Sequence, residues 1–367
     1  MKIHVWSPAF ENFGGGIAAF ARELSFALSD LGHDLRLHGK LDTTGTLKQL
    51  ELRGTRHVPS PIRTLGFAAT TFGSCLHDRP DHIISTHVNF LAVAHAAARL
   101  TGTPFSAVAH GIDVHDDLSM LRRAALRAAH RIYAVSSWTR NRVLALSGVD
   151  TKRVFLLPNT FDELRFKPGS IPGQLAERYG IQPGELVVLT VARLDAGEAY
   201  KGYDRVIRAM PAIAAACGAV RFILVGDGPD RARVELLARE VGVWDRVTFC
   251  GFVSDEELPG HYRLADVFAM PSTGEGFGIV YLESMACGTP VLAGNVDGSV
   301  DALDHGRLGR LVDPTDIDQI AAGIVSLLRR QGPSAWFEPE FLHRMVKDQF
   351  GRDAFRERVR TAVSLPA

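Results

Sequence analysis

Short apolar runs alternate along the chain with longer segments that have helical periodicity. Runs that are apolar on both faces are typical of buried parallel strands, and their alternation with helices predicts an α/β fold with helices on both sides of each sheet. The predicted strands of the first half are Ile3–Trp6, Asp34–Leu37, His82–Thr86, Phe105–Ala109, Ile132–Val135 and Val154–Leu157. Those of the second half are Leu186–Val191, Arg221–Val225, Val247–Cys250, Asp266–Met270 and Pro290–Ala293.

A segment without periodicity, LPNTFDELRFKPGSIPG, separates the two groups of strands. Because it is rich in Pro, Gly and Asn, we expect a domain boundary near Pro158, between domains 1–160 and 161–345. The end of the chain, 346–367, is predicted to contain a helix over Asp348–Val363 that packs back onto the N-terminal domain. One stripe of this helix contains Phe350, Ala354, Phe355, Val359 and Val363.

The length, charge balance and cysteine spacing of the chain argue against several classes of function. The 367 residues suffice for about two domains. Lys+Arg and Asp+Glu are both 41, so the chain lacks the basic excess of a nucleic-acid-binding protein. The four cysteines form no C-x-x-C pair, which argues against a zinc site and fits a reducing compartment. With neither a signal-peptide pattern nor a membrane-span pattern, we expect a cytoplasmic protein that is at most peripheral at the inner membrane face.

Polar residues collect where the predicted strands end. His110 follows FSAVA, Arg193 ends VVLTVA, and Ser272–Glu275 follow DVFAMP. Since ligands of open parallel sheets bind beyond the carboxyl ends of the strands, two half-sites across a cleft between the domains are expected. A histidine in this position suits a sugar hydroxyl or a phosphate oxygen, although a structural histidine would fit equally well.

Three glycines, Gly14, Gly15 and Gly16, lie between the first strand and a predicted helix. Such a loop lets an anion approach the N-terminus of a helix, although a plain turn explains it equally well. The dinucleotide pattern G-x-G-x-x-G is incomplete, so a nicotinamide cofactor is not expected.

Arg193 and Lys201 flank the loop LDAGEAY, and two cations around a loop suit a diphosphate. The alternative is two solvated surface charges. The loop contains Glu198, whose charge would oppose a diphosphate, so we expect its side chain to point to solvent.

The segment GEGFGIVYLE places Glu275 and Glu283 around a predicted strand-to-helix junction. If the helix begins near Phe277, Glu275 lies at its mouth and Glu283 about two turns inside. The helix N-terminus favours phosphate, and the inner carboxylate can accept hydrogen bonds from ribose hydroxyls. Alternatively, Glu275 only complements the helix dipole and Glu283 is an exposed helical residue.

The order of the segments VARLDAGEAYKGYDRVIRA, FILVGDGPDR, VTFCGFVSDEELPGHYRLADVFAMPSTGEGFGIVYLESMACGTPVLAG and GRLGRLVDP resembles that of retaining glycosyltransferases of family 4. The resemblance implies the GT-B fold, in which two Rossmann-like parallel-sheet domains face a central cleft. It also implies a nucleotide-diphosphate-sugar donor and a reaction that needs no metal and no cofactor.

The resemblance also implies the roles of individual residues. The catalytic residues would be Glu275, His110, Arg193 and Lys201. The donor-binding residues would be Gly15, Gly16, Arg193, Lys201, Gly251, Val253, Glu275, Gly276, Phe277, Gly278, Ile279 and Glu283. The acceptor-side residues would be Gly14 and Asp113, where many relatives have Glu in place of Asp113.

Several questions stay open at this point. GDP-mannose is slightly favoured as donor over UDP-glucose and UDP-N-acetylglucosamine, and the acceptor is a glycan, a glycolipid or a small molecule. A basic amphipathic segment at Leu121–Tyr133 is typical of either a membrane surface contact or a solvated helix face. It contains Arg122, Arg123, Arg127 and Arg131. The alternatives to a transferase are a non-catalytic nucleotide-sugar-binding subunit and a sugar-nucleotide epimerase.

Overall fold

The computed structural model describes residues 1–11, 15–114 and 118–364. The chain divides into two compact units, Met1–Thr160 with Arg352–Ala367, and Phe161–Gly351. Every strand predicted from the sequence is present, within a residue or two of its expected ends. Both units are layered α/β structures, as the alternation of apolar runs and helical segments predicts.

The sheet of the first unit is built around the buried strands predicted from the sequence. Its strands are β1 (Lys2–Ser7), β2 (Asp34–Gly39), β3 (Gly45–Leu47), β4 (Leu50–Gly54), β5 (His82–Ser85), β6 (Phe105–Ala109), β7 (Arg131–Ala134) and β8 (Val154–Leu156). Across the described residues the order is β3-β4-β2-β1-β5-β6-β7-β8, with only the β3–β4 pair antiparallel. The short segments β3 and β4 were not predicted, because GTL and LELRG alternate with polar positions and form no apolar run.

Helices cover this sheet. They are α1 (Gly16–Asp30), α2 (Arg63–Asp78), α3 (Leu91–Thr101), α4 (Met120–Ala128) and α5 (Ser137–Ser147). The basic segment at 121–133 is therefore not one helix. Arg131 lies in β7 and is buried, and its guanidinium donates hydrogen bonds to the carbonyls of Ala362 and Val363.

The second unit has a smaller parallel sheet. Its strands are β9 (Leu186–Val191), β10 (Val220–Val225), β11 (Val247–Gly251), β12 (Val267–Met270), β13 (Val291–Gly294) and β14 (Arg310–Val312), the last not predicted. Within the described part of the chain their order is β11-β10-β9-β12-β13-β14. One face buries Val206, Met210, Phe222, Leu224 and Ile324 in a single apolar cluster.

In the second unit, α6 precedes the first strand, β9, and the other described helices follow β9 along the chain. They are α6 (Gly173–Arg178), α7 (Tyr203–Cys217), α8 (Arg231–Glu240), α9 (Leu258–Leu264), α10 (Ile279–Ala286), α11 (Ser299–Ala302), α12 (Ile317–Leu328) and α13 (Pro339–Phe350). The C-terminal part of the chain is thus two helices rather than one over 348–363, because Gly351 is extended (ψ 170°) and ends α13.

The last helix, α14 (Arg352–Ser364), belongs to the first unit and packs on α1. Arg352 donates two hydrogen bonds of 2.8 Å to the carboxylate of Glu23, and the ring of Phe355 packs edge-on against Phe20 at 5.7 Å. Among the described residues, no helix combines the length and the apolar character needed to cross a membrane.

Candidate functional site

The loop after β9 brings two cations to the carboxyl end of a central strand. Arg193 lies two residues after the end of β9, and a short helical turn, Ala196–Lys201, carries Lys201 at its end. Asp195 starts this turn by accepting a hydrogen bond of 2.9 Å from the amide of Gly197. Gly202 ends it at a φ of 80°, where a Cβ atom would lie 2.3 Å from the carbonyl oxygen of Pro271. This close approach requires glycine and joins the loop to the end of β12.

Glu198 lies between the two cations, and the expectation that it points to solvent is wrong. Its Oε1 accepts hydrogen bonds from the Arg193 guanidinium, including one of 2.9 Å from Nε, and its Oε2 lies 2.6 Å from Nζ of Lys201. Burial alone would raise the pKa of Glu198, but Lys201 and Arg193 together hold this pKa below its usual value. The helical turn makes the contact possible, because Glu198 and Lys201 are three residues apart on the same face.

The loop after β12 carries Glu275 and is held by a buried carboxylate. Oδ2 of Asp297 accepts hydrogen bonds from the hydroxyl of Ser272 and, at 2.7 Å, from the amide of Glu275. Its Oδ1 accepts a further hydrogen bond of 2.9 Å from the amide of Ser299. Asp297 therefore fixes the backbone on which Glu275 sits. The sequence analysis did not identify it, because Asp297 is 22 residues from Glu275 and no local pattern connects the two.

The loops after β9 and β12 are in direct contact. The amide of Thr273 donates a hydrogen bond of 2.9 Å to the carbonyl of Tyr200. Burial raises the pKa of Glu275, the nearby charge of Lys201 lowers it, and the carboxylates of Asp297 and Glu198 raise it again. Lys201 therefore interacts with Glu275, and Glu198 links Lys201 to Arg193.

Helix α10 begins at Ile279 rather than near Phe277. The turn before it is made by Gly278, whose φ is 89° and whose Cβ, if present, would lie 2.3 Å from the ring of Tyr281. Glu283 is therefore the fifth residue of the helix and lies about one turn inside, not two. The predicted arrangement otherwise stands, with Glu275 before the helix and Glu283 within it.

Glu283 is held by a tyrosine. The hydroxyl of Tyr262, in α9, donates a hydrogen bond of 2.8 Å to Oε2 of Glu283. Burial raises the pKa of Glu283 to about 7, and the hydrogen bond from Tyr262 opposes that rise. Tyr262 was missed because a buried aromatic residue in HYRLAD is usually only part of the core.

The other predicted donor-binding positions around α10 offer backbone groups rather than side chains. Phe277 is 1% exposed, and its ring packs edge-on against Phe350 at 5.5 Å. Ile279 is also buried, and Gly276 and Gly278 have no side chain. What this segment presents to a ligand is therefore the amides at the start of α10, which favour an anion.

Two more predicted positions follow β11. Gly251 ends this strand with a φ of 69°, and its carbonyl accepts a hydrogen bond of 2.8 Å from the amide of Gly226. Val253 is partly buried, whereas the intervening Phe252 is 83% exposed. These residues lie at the same carboxyl edge as Arg193, two strands away in the sheet.

In the first unit, His110 and Asp113 form a local pair after β6. The amide of His110 donates a hydrogen bond of 2.8 Å to Oδ1 of Asp113. Nε2 of the His110 ring lies 3.0 Å from the carbonyl oxygen of Thr86, which can only accept, so Nε2 carries the hydrogen and Nδ1 is an acceptor. Burial lowers the pKa of His110 to about 3 and raises that of Asp113 to about 6. The imidazole is therefore neutral at physiological pH.

Two of the three glycines after β1 lie within the described residues. Gly15, with a φ of 148°, precedes α1, and Gly16 is its first residue. Gly14 lies outside the described residues. Throughout the described ranges, no group of three or more His, Cys, Asp or Glu side chains is arranged to hold a metal ion.

Two protein-family models match the chain, one in each half. Residues 14–165 match the family described as Glycosyltransferase Family 4, and residues 174–348 match Glycosyl transferases group 1. Among characterised relatives, a GDP-mannose-dependent alpha-(1-6)-phosphatidylinositol monomannoside mannosyltransferase of Mycobacterium tuberculosis is 36% identical over 251 residues, which are 65% of this chain and 64% of that protein. The 2-deoxystreptamine glucosyltransferase of Streptomyces kanamyceticus is 29% identical over a region that covers 69% of this chain and 70% of that protein.

Solved structures show the same architecture. The crystal structure of Anabaena HepE in complex with UDP and glucose superposes with a TM-score of 0.81 at 21% identity, covering 99% of both chains. WaaG, a glycosyltransferase involved in lipopolysaccharide biosynthesis, gives a TM-score of 0.73 at 18% identity, covering 99% of this chain and all of that one. At these identities the likeness establishes the fold. The chain therefore belongs to the glycosyltransferases with the GT-B fold, and joins a Family 4 domain to a group 1 domain.

Proposed function

We propose that the protein is a retaining glycosyltransferase that moves a hexose from a nucleotide-diphosphate sugar to a hydroxyl of a glycan, glycolipid or small molecule. The observation that carries this proposal is the cluster in the second unit, where Arg193 and Lys201 share the carboxylate of Glu198 in the loop after β9 and Lys201 interacts with Glu275 before α10. Two cations and the amides of a helix N-terminus suit a diphosphate. Carboxylates beside them suit sugar hydroxyls.

In the proposed reaction, the nucleotide binds the second unit and Glu283 accepts hydrogen bonds from its ribose. The bond between the sugar C1 and the terminal phosphate oxygen breaks, and that oxygen keeps the electron pair. Arg193, Lys201 and the amides around Gly278 stabilise the charge that develops there. Glu275 orients the sugar. The acceptor hydroxyl attacks from the same face, and its proton passes to the leaving oxygen, so the configuration at C1 is retained.

The first unit would bind the acceptor near His110 and Asp113. Because Nε2 of His110 donates to the carbonyl of Thr86, Nδ1 is the atom that would meet the acceptor, by accepting a hydrogen bond from a hydroxyl group. The ring remains neutral, since its pKa is lowered to about 3. It therefore orients a hydroxyl without supplying a proton.

We favour GDP-mannose as the donor. The names of relatives at 36% identity include GDP-mannose-dependent mannosyltransferases, which supports this choice, whereas a relative at 29% identity is named a glucosyltransferase. UDP-glucose and UDP-N-acetylglucosamine are the alternatives in the assay below. The aligned region spans 64% of the length of the mannosyltransferase, so donor and acceptor are proposals for this chain.

We further propose that the reaction needs no metal ion, because Arg193 and Lys201 supply positive charge where a divalent cation would otherwise act. Excess EDTA should then leave transfer unchanged.

A peripheral contact with anionic lipid at α4 is a separate proposal. It is supported by Met120 and Leu121, which are 88% and 73% exposed at the start of this helix, beside the basic positions Arg122 and Arg123.

The experiment is a transfer assay with GDP-mannose, UDP-glucose and UDP-N-acetylglucosamine against a panel of alkyl glycosides and lipid-linked sugars. Release of nucleoside diphosphate is followed together with the anomeric configuration of the product by NMR. We expect one donor to give an α-linked product from its α-configured sugar. Nucleotide binding without turnover against any acceptor would favour a non-catalytic subunit, and interconversion of the donor alone would favour an epimerase.

A further inference from the structure

Glu198 places a negative charge between the two cations Arg193 and Lys201. Its carboxylate uses one oxygen for each cation, Oε1 for Arg193 and Oε2 for Lys201. The side chain of Glu198 is 10% exposed, whereas that of Arg193 is 66% exposed. The carboxylate therefore lies on the inner side of the cation pair, and the guanidinium keeps an outer edge open to a ligand.

The balance of charge around this pair is unusual for a diphosphate site. Glu198 and Asp297 both act on Glu275, and together these three carboxylates outnumber the two cations. Arg193 and Lys201 hold Glu198 in its ionised form, because they keep its pKa below the usual value. A site of this composition tolerates only a limited negative charge on its ligand.

The donor and the product differ by one negative charge. In a nucleotide-diphosphate sugar, both phosphates are esterified and each carries one charge. When the bond to the sugar breaks, the terminal phosphate of the nucleoside diphosphate becomes a monoester, whose second ionisation has a pKa of about 6. The leaving oxygen first carries the proton of the acceptor hydroxyl. Above that pH it loses this proton to solvent, and the product then carries one more negative charge than the donor, on the terminal phosphate beside the cation pair.

We propose that Glu198, held between Arg193 and Lys201, is a specificity residue that weakens the binding of the nucleoside-diphosphate product relative to the nucleotide-sugar donor. This inference rests on the proposed function, because it places the donor diphosphate at the two cations. Glu198 offsets one of the two positive charges, so the third charge of the product meets a carboxylate as well as the cations. The consequence is faster release of the product and weaker product inhibition.

The test compares dissociation constants of GDP and GDP-mannose, measured by calorimetry at pH 8 for the wild type and for Glu198→Gln. The uncharged amide should bind GDP about fivefold more tightly relative to GDP-mannose than the carboxylate does. The matched control is Glu185→Gln. Glu185 precedes β9 at the opposite end of the strand and forms an ion pair with Arg221, so its substitution should leave the ratio unchanged.

The possible outcomes separate this inference from the function on which it rests. If the wild type binds neither ligand, nor UDP and UDP-glucose in their place, the proposed function and this inference both fail. If the wild type binds but the ratio does not change in Glu198→Gln, or GDP-mannose gains more than GDP, only this inference fails.

A second measurement needs no variant and covers the case in which Glu198→Gln does not fold. In the wild type, the β-methyl ester of GDP lacks the third charge but keeps the diphosphate. It should bind at least as tightly as GDP at pH 8. An ester that binds more weakly than GDP, beyond the experimental error, would contradict the proposed role of Glu198.

Discussion

The hydroxyl of Tyr262 donates a hydrogen bond of 2.8 Å to Oε2 of Glu283, and this contact joins α9 to the helix that carries the proposed ribose-binding carboxylate. Tyr262 is buried and Glu283 is partly buried, and burial raises the pKa of Glu283 to about 7. Glu283 therefore changes its protonation state within the physiological range, and its ability to accept two hydrogen bonds changes with it.

Donor binding should depend on pH. Because the pKa of Glu283 is raised, the carboxyl group is protonated below about pH 7 and loses acceptor capacity as the pH falls. We expect the dissociation constant of GDP-mannose to rise by up to about tenfold from pH 8 to pH 6, since one unit below its pKa about a tenth of the group is ionised. The phosphates of this ligand do not titrate in that range.

Two variants check the origin of this dependence. Glu283→Gln should bind GDP-mannose more weakly at pH 8 and show no slope. Asp113→Asn should keep the slope, although Asp113 also has a pKa raised by burial, to about 6, because it lies in the first unit. A slope that survives in Glu283→Gln would show that another group is responsible.

Removing the hydroxyl of Tyr262 should shift the pH dependence of donor binding. In Tyr262→Phe the carboxylate loses the hydrogen bond that lowers its pKa, so the midpoint of donor binding should move to higher pH. Tyr203→Phe is the matched control, because the Tyr203 hydroxyl also donates to a buried carboxylate, that of Asp230, outside the proposed ribose site. An unchanged midpoint in Tyr262→Phe would mean that the hydroxyl does not tune Glu283.

Asp297 should be needed for the geometry of the loop that carries Glu275. In Asp297→Asn, one carboxylate oxygen becomes an amide nitrogen that cannot accept hydrogen bonds from the amides of Glu275 or Ser299. We expect a loss of about 2 kcal/mol in the free energy of unfolding and a transfer rate reduced at least tenfold. Asp318→Asn, on an exposed position in the first turn of α12, should cost less than about 1 kcal/mol and leave the transfer rate unchanged.

Gly278→Ala should destabilise the start of α10 more than backbone conformation alone accounts for. A Cβ atom at Gly278 would lie 2.3 Å from the ring of Tyr281, in addition to the strain of a φ of 89°. Gly180 has a φ of 62° but nothing within 4 Å of a Cβ atom, so Gly180→Ala measures the strain alone, about 1 kcal/mol. Denaturant unfolding of both variants should show the larger loss for Gly278→Ala.

The sequence predicted the sheets well because their strands are buried on both faces. FSAVA and VVLTVA are apolar except for one hydroxyl residue each, a composition typical of a parallel strand buried on both faces. The strands that escaped prediction, β3, β4 and β14, have only three to five residues, and each contains at least one polar residue. Their pairing depends on neighbouring strands, which local patterns do not encode.

The candidate site also contains residues that local sequence patterns predict and residues that they do not. Glu275 and Glu283 were placed on either side of a helix start from spacing alone, although the turn at Gly278 puts the start later than expected. Glu198 was misjudged because its environment depends on a helical turn that brings two cations to it. Asp297 is far from Glu275 in sequence, so the hydrogen bond between them follows only from the tertiary fold.

The central claim is that the second unit binds a nucleotide-diphosphate sugar through Arg193 and Lys201. The most direct test is calorimetric titration of GDP-mannose, UDP-glucose and UDP-N-acetylglucosamine into the wild type, Arg193→Ala and Lys201→Ala, with thermal unfolding to verify folding. We predict that the wild type binds one donor, and that each variant remains folded and binds it at least about tenfold more weakly. Undiminished binding in both folded variants would contradict the account.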